Sequence, residues 1–226
     1  MTNLDNARKI MIENHLKLRG VKDPLVLRAM EEVPREMFLP PELAQLAYND
    51  SPLPIGESQT ISQPYIVAVM TEMLELKRDD RVLEVGTGSG YAAAVLSRIV
   101  DQVHTIERLP RLAEAARETL RRMGYDNIHV HLGDGSLGWP EHAPYDAIVV
   151  TAGSPDVPRS LRNQLAVGGR LVIPIGSGLV QDLVRIRRTG KADFERENLL
   201  GVRFVPLVGD EGWKDHQATV RSTGTH

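Results

Sequence analysis

Hydrophobic spacing changes character near residue 80 of this chain. Before it, apolar residues recur at helical intervals. Ala7 to Leu18 predicts one helix and PLVLRAMEE a second, from Pro24 to about Glu32, with Pro24 at its first position. From Pro34 to Pro64 the prolines and Gly56 break any period and predict an ordered but irregular segment. Helical spacing returns in IVAVMTEMLEL, Ile66 to Leu76. From Arg81 onward, short β-branched runs alternate with helical ones: RVLEVG and YAAAVLSRIV, QVHTIE and LPRLAEAARETLRRMG, NIHVHLGD, YDAIVV and a helix through LRNQLA, then GGRLVIPIG. Pro110 marks a helix start and Gly124 its stop.

That alternation predicts an α/β fold: a mostly parallel, twisted sheet with helices on both faces and right-handed crossovers. DLVRIRRT and NLLGVRFVPLVG have no helix between them and predict terminal antiparallel strands. No internal repeat is visible. We expect one domain over residues 1–210, with an N-terminal helical extension and active-site loop (1–65) ahead of the core (66–210), and a polar tail over 211–226.

Composition narrows the function classes. The chain has 226 residues, 42% hydrophobic and 25% charged, with net charge −3. A nucleic-acid binder would carry a basic surplus, which is missing. No apolar run approaches the roughly 20 residues of a membrane span, and MTNLDNARKI lacks the apolar stretch of a signal peptide. With no cysteine, disulfides and thiolate zinc sites are ruled out. The expectation is a cytoplasmic, monomeric enzyme with neither nucleic-acid nor membrane partners.

Candidate chemistry starts at Glu84-Val85-Gly86-Thr87-Gly88-Ser89-Gly90, a glycine loop between the first core strand and its helix. Glycines permit a tight turn and let a ligand approach the backbone, and ligands of open α/β sheets bind at such strand ends. Gly88-Ser89-Gly90-Tyr91-Ala92-Ala93 also fits the degenerate dinucleotide pattern, with Glu107 spaced to hold a ribose diol. An NAD-dependent oxidoreductase and a noncatalytic adenosine-binding module therefore stand beside a methyltransferase. Glu84 suits a ligand bearing an ammonium group and would repel a pyrophosphate. Glu84, Glu107 and Asp134, at three successive strand ends, would make an acidic rim for a zwitterionic, adenosine-bearing ligand. His129 and His131 share a strand face without completing a metal ligand set, so no metal is expected. Arg185, Arg187 and Arg188 read as a solvated strand face, and Met70 and Met73 as helix packing.

The glycine loop, Glu107, GDG at 133–135, PYDAIVVTAG at 144–153 and VGGRLVIPIG at 167–176 resemble class I S-adenosylmethionine-dependent methyltransferases. QTISQPY at 59–65 is narrower and resembles the protein-L-isoaspartate O-methyltransferases, as do VPREMFLP at 33–40, AYNDSPLPIG at 47–56 and VRFVPL at 202–207. The resemblance implies a Rossmann-like fold and methylation of the free α-carboxylate of L-isoaspartyl residues in damaged proteins, with D-aspartyl sites left open. It implies Ser62 as the catalytic residue, with Ile61, Ser62, Tyr65 and Val208 contacting substrate. The donor would be held by Gln59, Thr60, Glu84, Gly86, Thr87, Gly88, Gly90, Glu107, Arg108, Asp134 and Gly135. Tyr65 stands where some members have histidine, and Val208 where others have threonine. The 52–64 segment would act as a lid.

No histidine or carboxylate adjoins Ser62 in the sequence to activate it, and the implied chemistry needs none. The acceptor is an α-carboxylate of pKa about 3.5, already ionised at neutral pH. A serine nucleophile would need a base; a serine that orients an anion does not.

Overall fold

A computed structural model describes residues 3–177 and 180–214. Helix α1 (Asn3–Ile10) begins earlier than the apolar spacing predicted and runs on through a wide helical turn, Met11–Leu16, whose Met11, Ile12 and Leu16 are buried. Helix α2 (Pro24–Glu32) has the expected ends: the Asp23 carboxylate accepts from the N–H groups of Leu25 and Val26, and Pro24 occupies the first turn. The proline-rich segment holds two short 3-10 turns (Arg35–Phe38 and Pro41–Leu46), then a hairpin that spacing did not predict. Its strands β1 (Leu53–Gly56) and β2 (Gln59–Ile61) pair antiparallel, Leu53 opposite Ile61. The chain reverses at Glu57 and Ser58, both with positive φ (49° and 56°). Helix α3 (Pro64–Met73) follows, with Met70 in the core.

The core elements follow the predicted order. They are β3 (Arg81–Val85), α4 (Tyr91–Ser97), β4 (Gln102–Glu107), α5 (Pro110–Arg122), β5 (Ile128–Leu132), β6 (Tyr145–Val150), α6 (Arg159–Asn163), β7 (Leu165–Ile175), β8 (Gln181–Arg188) and β9 (Phe194–Val202). They form one seven-stranded sheet in the order β5-β4-β3-β6-β7-β8-β9, parallel from β5 to β7 and antiparallel from β7 to β9. The chain therefore winds outward from β3 to β5, then returns to the other side of β3 for β6. Where the winding reverses, the connections leave a crevice at the carboxyl ends of β3 and β6.

Both sheet faces are covered. Val82, Val103, Ala147, Val149 and Val172 pack with residues of α3 and α4, while Leu83, Val85, Ile106, Ile148 and Ile173 pack with Leu161 and Leu207. Two-sided burial explains the continuous apolar runs of these strands. Arg185 and Arg187 are half-buried and paired rather than simply solvated: Arg185 binds Glu75 and Glu197 and Arg187 binds Glu75, while Arg188 donates to the Leu165 carbonyl. The first described residues of the expected tail are held against the core. The Ser160 N–H and hydroxyl donate to Glu211 at 2.8 and 2.7 Å, and the Trp213 indole donates to the Gly153 carbonyl at 2.9 Å. Residues 215–226 lie outside the described residues.

Candidate active site

The crevice encloses about 580 Å³, counting its open mouth. Its floor is the glycine loop. Gly86 has φ +99°, and a β-carbon there would lie 2.4 Å from Thr151 Oγ1. Thr151 in turn donates to the carbonyls of Val85 (3.1 Å) and Gly86 (2.8 Å), tying the loop to the end of β6. Any side chain at 86 would be strained and would displace that clasp. Gly90, with φ +89°, turns the chain into α4 against Leu120 and Ala116.

Glu107 ends β4 inside the crevice and is nearly buried. Its two oxygens accept from the Gly88 N–H (2.9 Å) and the Leu109 N–H (3.0 Å), so the carboxylate ties the glycine loop to the start of α5. Gln59, Thr60, Gly86, Gly88, Glu107, Arg108, Gly135 and Val208, all expected from sequence, line the crevice. Val85, Leu109, Thr151, Ala152 and the strap Val205–Pro206–Leu207 line it too, and sequence reasoning missed them. They are apolar or ordinary residues brought in by strand ends, so only YDAIVVTAG and VRFVPL as whole motifs hinted at them.

Other expected residues stand back from the crevice. Glu84 is fully buried, because the β3 pleat turns it to the same face as Val82, next to Thr105 of β4. Thr105 donates to its Oε2 at 2.6 Å and shares a hydrogen bond with Thr87 at 2.7 Å, while Glu84 Oε1 has no partner. Burial, with a smaller contribution from the Glu107 charge and against the Thr105 bond, pushes the Glu84 carboxyl up to about 8. Glu84 therefore does not stand on an acidic rim, and the argument from its charge against a pyrophosphate is not carried by this geometry.

Asp134 is likewise committed. Its Oδ1 accepts from the Ser136 N–H and hydroxyl, and its Oδ2 from the Asp210 N–H at 2.7 Å. It pins the C-terminal strap over Gly135. Of the substrate-side residues, Ile61 is in the core, opposite Leu53. Ser62 is half-buried, just past the end of β2, and Tyr65 lies under the Arg19 guanidinium, 3.5 Å from its ring centroid. The hairpin carrying Gln59 and Thr60 covers the glycine loop, with Ile55 Cδ1 3.3 Å from where a β-carbon of Gly88 would be. Its tip is joined to α5 by Glu57–Arg111 at 3.2 Å.

His129 and His131 do share a face of β5, but each is engaged by a ring: His129 stacks on His104, and His131 on Trp139 at 4.5 Å between centroids. Among the described residues no group of three or more His, Cys, Asp or Glu is placed to hold a metal ion. Nor is any helix among them long and apolar enough to cross a membrane.

A mostly parallel sheet reversing beside β3, a glycine turn at its carboxyl end and an acid closing the next strand define a class I methyltransferase fold, and two solved structures of that class match it. One, a protein-L-isoaspartate O-methyltransferase, superposes with a TM-score of 0.81 at 34% identity, covering 91% of this chain and 67% of that one. A second, from Plasmodium falciparum, was assigned as a protein-L-isoaspartate O-methyltransferase and solved with S-adenosyl-L-homocysteine. It gives 0.76 at 26% identity, over 92% of this chain and 99% of that one. The family model described as protein-L-isoaspartate (D-aspartate) O-methyltransferase matches residues 6–212, and the chain belongs to that family. Relatives include protein-L-isoaspartate O-methyltransferase 2 of Pelobacter propionicus, 62% identical over 94% of this chain and 95% of its own length. Another, protein-L-isoaspartate O-methyltransferase 1 of Geotalea uraniireducens, is 61% identical over 93% and 97%.

Proposed function

We infer that this chain is a protein-repair enzyme that methylates the free α-carboxylate of L-isoaspartyl residues in damaged proteins and peptides, using S-adenosylmethionine. The carrying observation is the family match over residues 6–212, which contains every residue that lines the crevice. In this reading the enzyme works as a cytoplasmic monomer.

The residues present fit the donor. Glu107 offers carboxylate lone pairs to a ribose diol beside the close backbone of Gly86 and Gly88, and Gly135 with the strap Val205–Val208 offers apolar surface to a base. When bound, S-adenosylmethionine supplies a methyl group on a positively charged sulfur.

The remaining work falls to this chain. The acceptor carboxylate arrives ionised, so no residue needs to remove a proton. Charge is neutralised on the way to products, so water, which favours the separated ions, slows the step. A pocket that excludes water and aims one oxygen speeds it. Ser62, half-buried just past the end of β2, is a neutral donor whose hydroxyl has no hydrogen-bond partner among the described residues. It can orient one carboxylate oxygen while leaving the other to react. A lysine or arginine there would hold the anion too tightly. Gln59 and Thr60 of the β1–β2 hairpin and the 205–208 strap line the crevice, and in this reading they serve to exclude water from it.

The decisive assay is transfer of labelled methyl to an isoaspartyl peptide and to its aspartyl twin. Label on the first alone is expected. No label on either, or binding of a nicotinamide dinucleotide in place of the methyl donor, would overturn the reading.

A further inference from the structure

Ser62 sits between two fixed points. Behind it, β2 ends at Ile61, held in register against Leu53. Ahead of it, α3 begins at Pro64, yet no side chain of its own entry caps it: Gln63, at the cap position, makes no capping bond. The cap comes from elsewhere. Asp50 reaches across from the loop before β1, and its Oδ1 accepts from the Tyr65 N–H at 3.4 Å. Its Oδ2 and its own backbone carbonyl both accept from the Gln63 side-chain amide, at 2.7 and 3.0 Å. One aspartate thus holds both Gln63 and Tyr65, the two non-proline residues that follow Ser62.

A bare carboxylate at that place would work against a site meant for an anion. Arg19 answers this by pairing with Asp50 Oδ2 through Nη1 while its guanidinium lies over the Tyr65 ring, 3.5 Å from the centroid. The Asp50 carboxylate is about one-fifth exposed, so the pair is partly shielded from solvent. The hydroxyl of Ser62 itself takes no part in the network.

We propose that Asp50 is a positioning residue for the methyl transfer: it caps α3 in place of a local residue and so fixes the backbone of Ser62, with Arg19 cancelling its charge. This rests on the proposed function and on Ser62 acting in it. Asp50 does not line the crevice, so its removal should change turnover and leave donor binding intact. Since a displacement of about 1 Å can cost up to about a hundredfold in rate, a fall of roughly tenfold or more is expected for Asp50→Ala.

The test is a double-mutant cycle on wild type, Asp50→Ala, Ser62→Ala and the double variant. Turnover would be measured with an isoaspartyl peptide at saturating donor, and donor dissociation constants by calorimetry. If Asp50 acts through Ser62, Asp50→Ala lowers turnover at least tenfold in the wild-type background and less than twofold once Ser62 is alanine. Donor affinity should stay within twofold throughout. Asp50→Asn, which keeps an oxygen acceptor for the Tyr65 N–H, should recover part of the loss and replaces Asp50→Ala in the cycle if that variant fails to fold. Equal fold-losses in both backgrounds, or unchanged turnover in Asp50→Ala, would overturn the proposal while leaving the reaction intact. Wild-type protein inert toward the peptide would overturn the function itself, and the proposal with it.

Discussion

Replacing Glu84 by glutamine tests how the protein stores a carboxyl group in its interior. The side chain is fully buried, Oε2 takes the Thr105 hydroxyl, and Oε1 has no partner. Burial raises its pKa from 4.5 to about 8, so in the free protein at neutral pH the group is largely a neutral acid. The folded state then binds the proton more tightly than the unfolded chain does. Stability from this group is complete below about pH 4.5 and is lost as pH rises through 8. Each pKa unit corresponds to about 1.4 kcal/mol, so the full span sets a ceiling of about 5 kcal/mol by pH 9. Local relaxation and water entry reduce such penalties, and roughly half that is the expected loss. Glutamine imitates the protonated acid, with a carbonyl for Thr105 and a donor at the other position, and does not titrate. Urea unfolding of wild type and Glu84→Gln, both without donor, gives the difference at each pH, and other titrating groups cancel in it. The variant should gain about 2–3 kcal/mol on wild type between pH 5 and pH 9. A difference that stays flat over that range would mean the folded protein accommodates the carboxylate anion, and the assignment of Glu84 as a stored acid would be refuted.

Three further predictions follow from the site and its surroundings. Ser62→Ala should lower turnover on an isoaspartyl peptide by tenfold or more and leave donor affinity within twofold, as steady-state kinetics and calorimetry will reveal; wild-type turnover would remove Ser62 from the reaction. Glu107→Ala should weaken donor binding by at least tenfold, since it removes the carboxylate in the crevice and also frees the Gly88 and Leu109 N–H groups it holds. An unchanged dissociation constant would break the ribose assignment. His104 has the opposite pH sign to Glu84. Burial first, then the neighbouring His142, His129 and Arg81 charges, depress it from 6.5 to about 4, and neither ring nitrogen has a partner. The unfolded chain therefore binds the proton more tightly, and stability present above pH 6.5 falls as pH drops toward 4, by up to about 3 kcal/mol. His104→Phe should flatten that acid limb in urea unfolding at pH 4.5 and 7.5, and an unaltered limb would place the acid sensitivity elsewhere.

Much of the molecule can be read from spacing and punctuation because those signals are local. A period of two or of 3.6 says whether a stretch is strand or helix; Pro24 and Pro110 start helices, and Gly124 ends one, through constraints that belong to the residue itself. The alternation after Arg81 requires crossovers, and crossovers require a parallel sheet, so the class of fold and the place of the glycine loop follow with no knowledge of contacts. Glu107, Gly86 and Gly88 were identifiable because the loop and the next strand end are tied together by that connection.

What spacing leaves open depends on pairing between distant segments. The hairpin at 53–61 has strands of four and three residues, too short for a period, and exists because Leu53 meets Ile61 over a turn of two non-glycine residues with positive φ. Both faces of the sheet are apolar, so no pattern could tell that Glu84 turns away from the crevice while Glu107, which closes the neighbouring strand, turns into it. Asp134 looked like a ligand and is spent on Ser136 and Asp210, because the strap from 205 to 213 folds back over the sheet. Asp50 lay inside the AYNDSPLPIG motif but nothing local showed its role, since its partners Gln63, Tyr65 and Arg19 stand 13, 15 and 31 residues away and meet it only in the folded chain. Residue type and spacing determine which chemistry the chain can offer; three-dimensional packing selects which of those groups meet a ligand, because burial and hydrogen bonding occupy the rest.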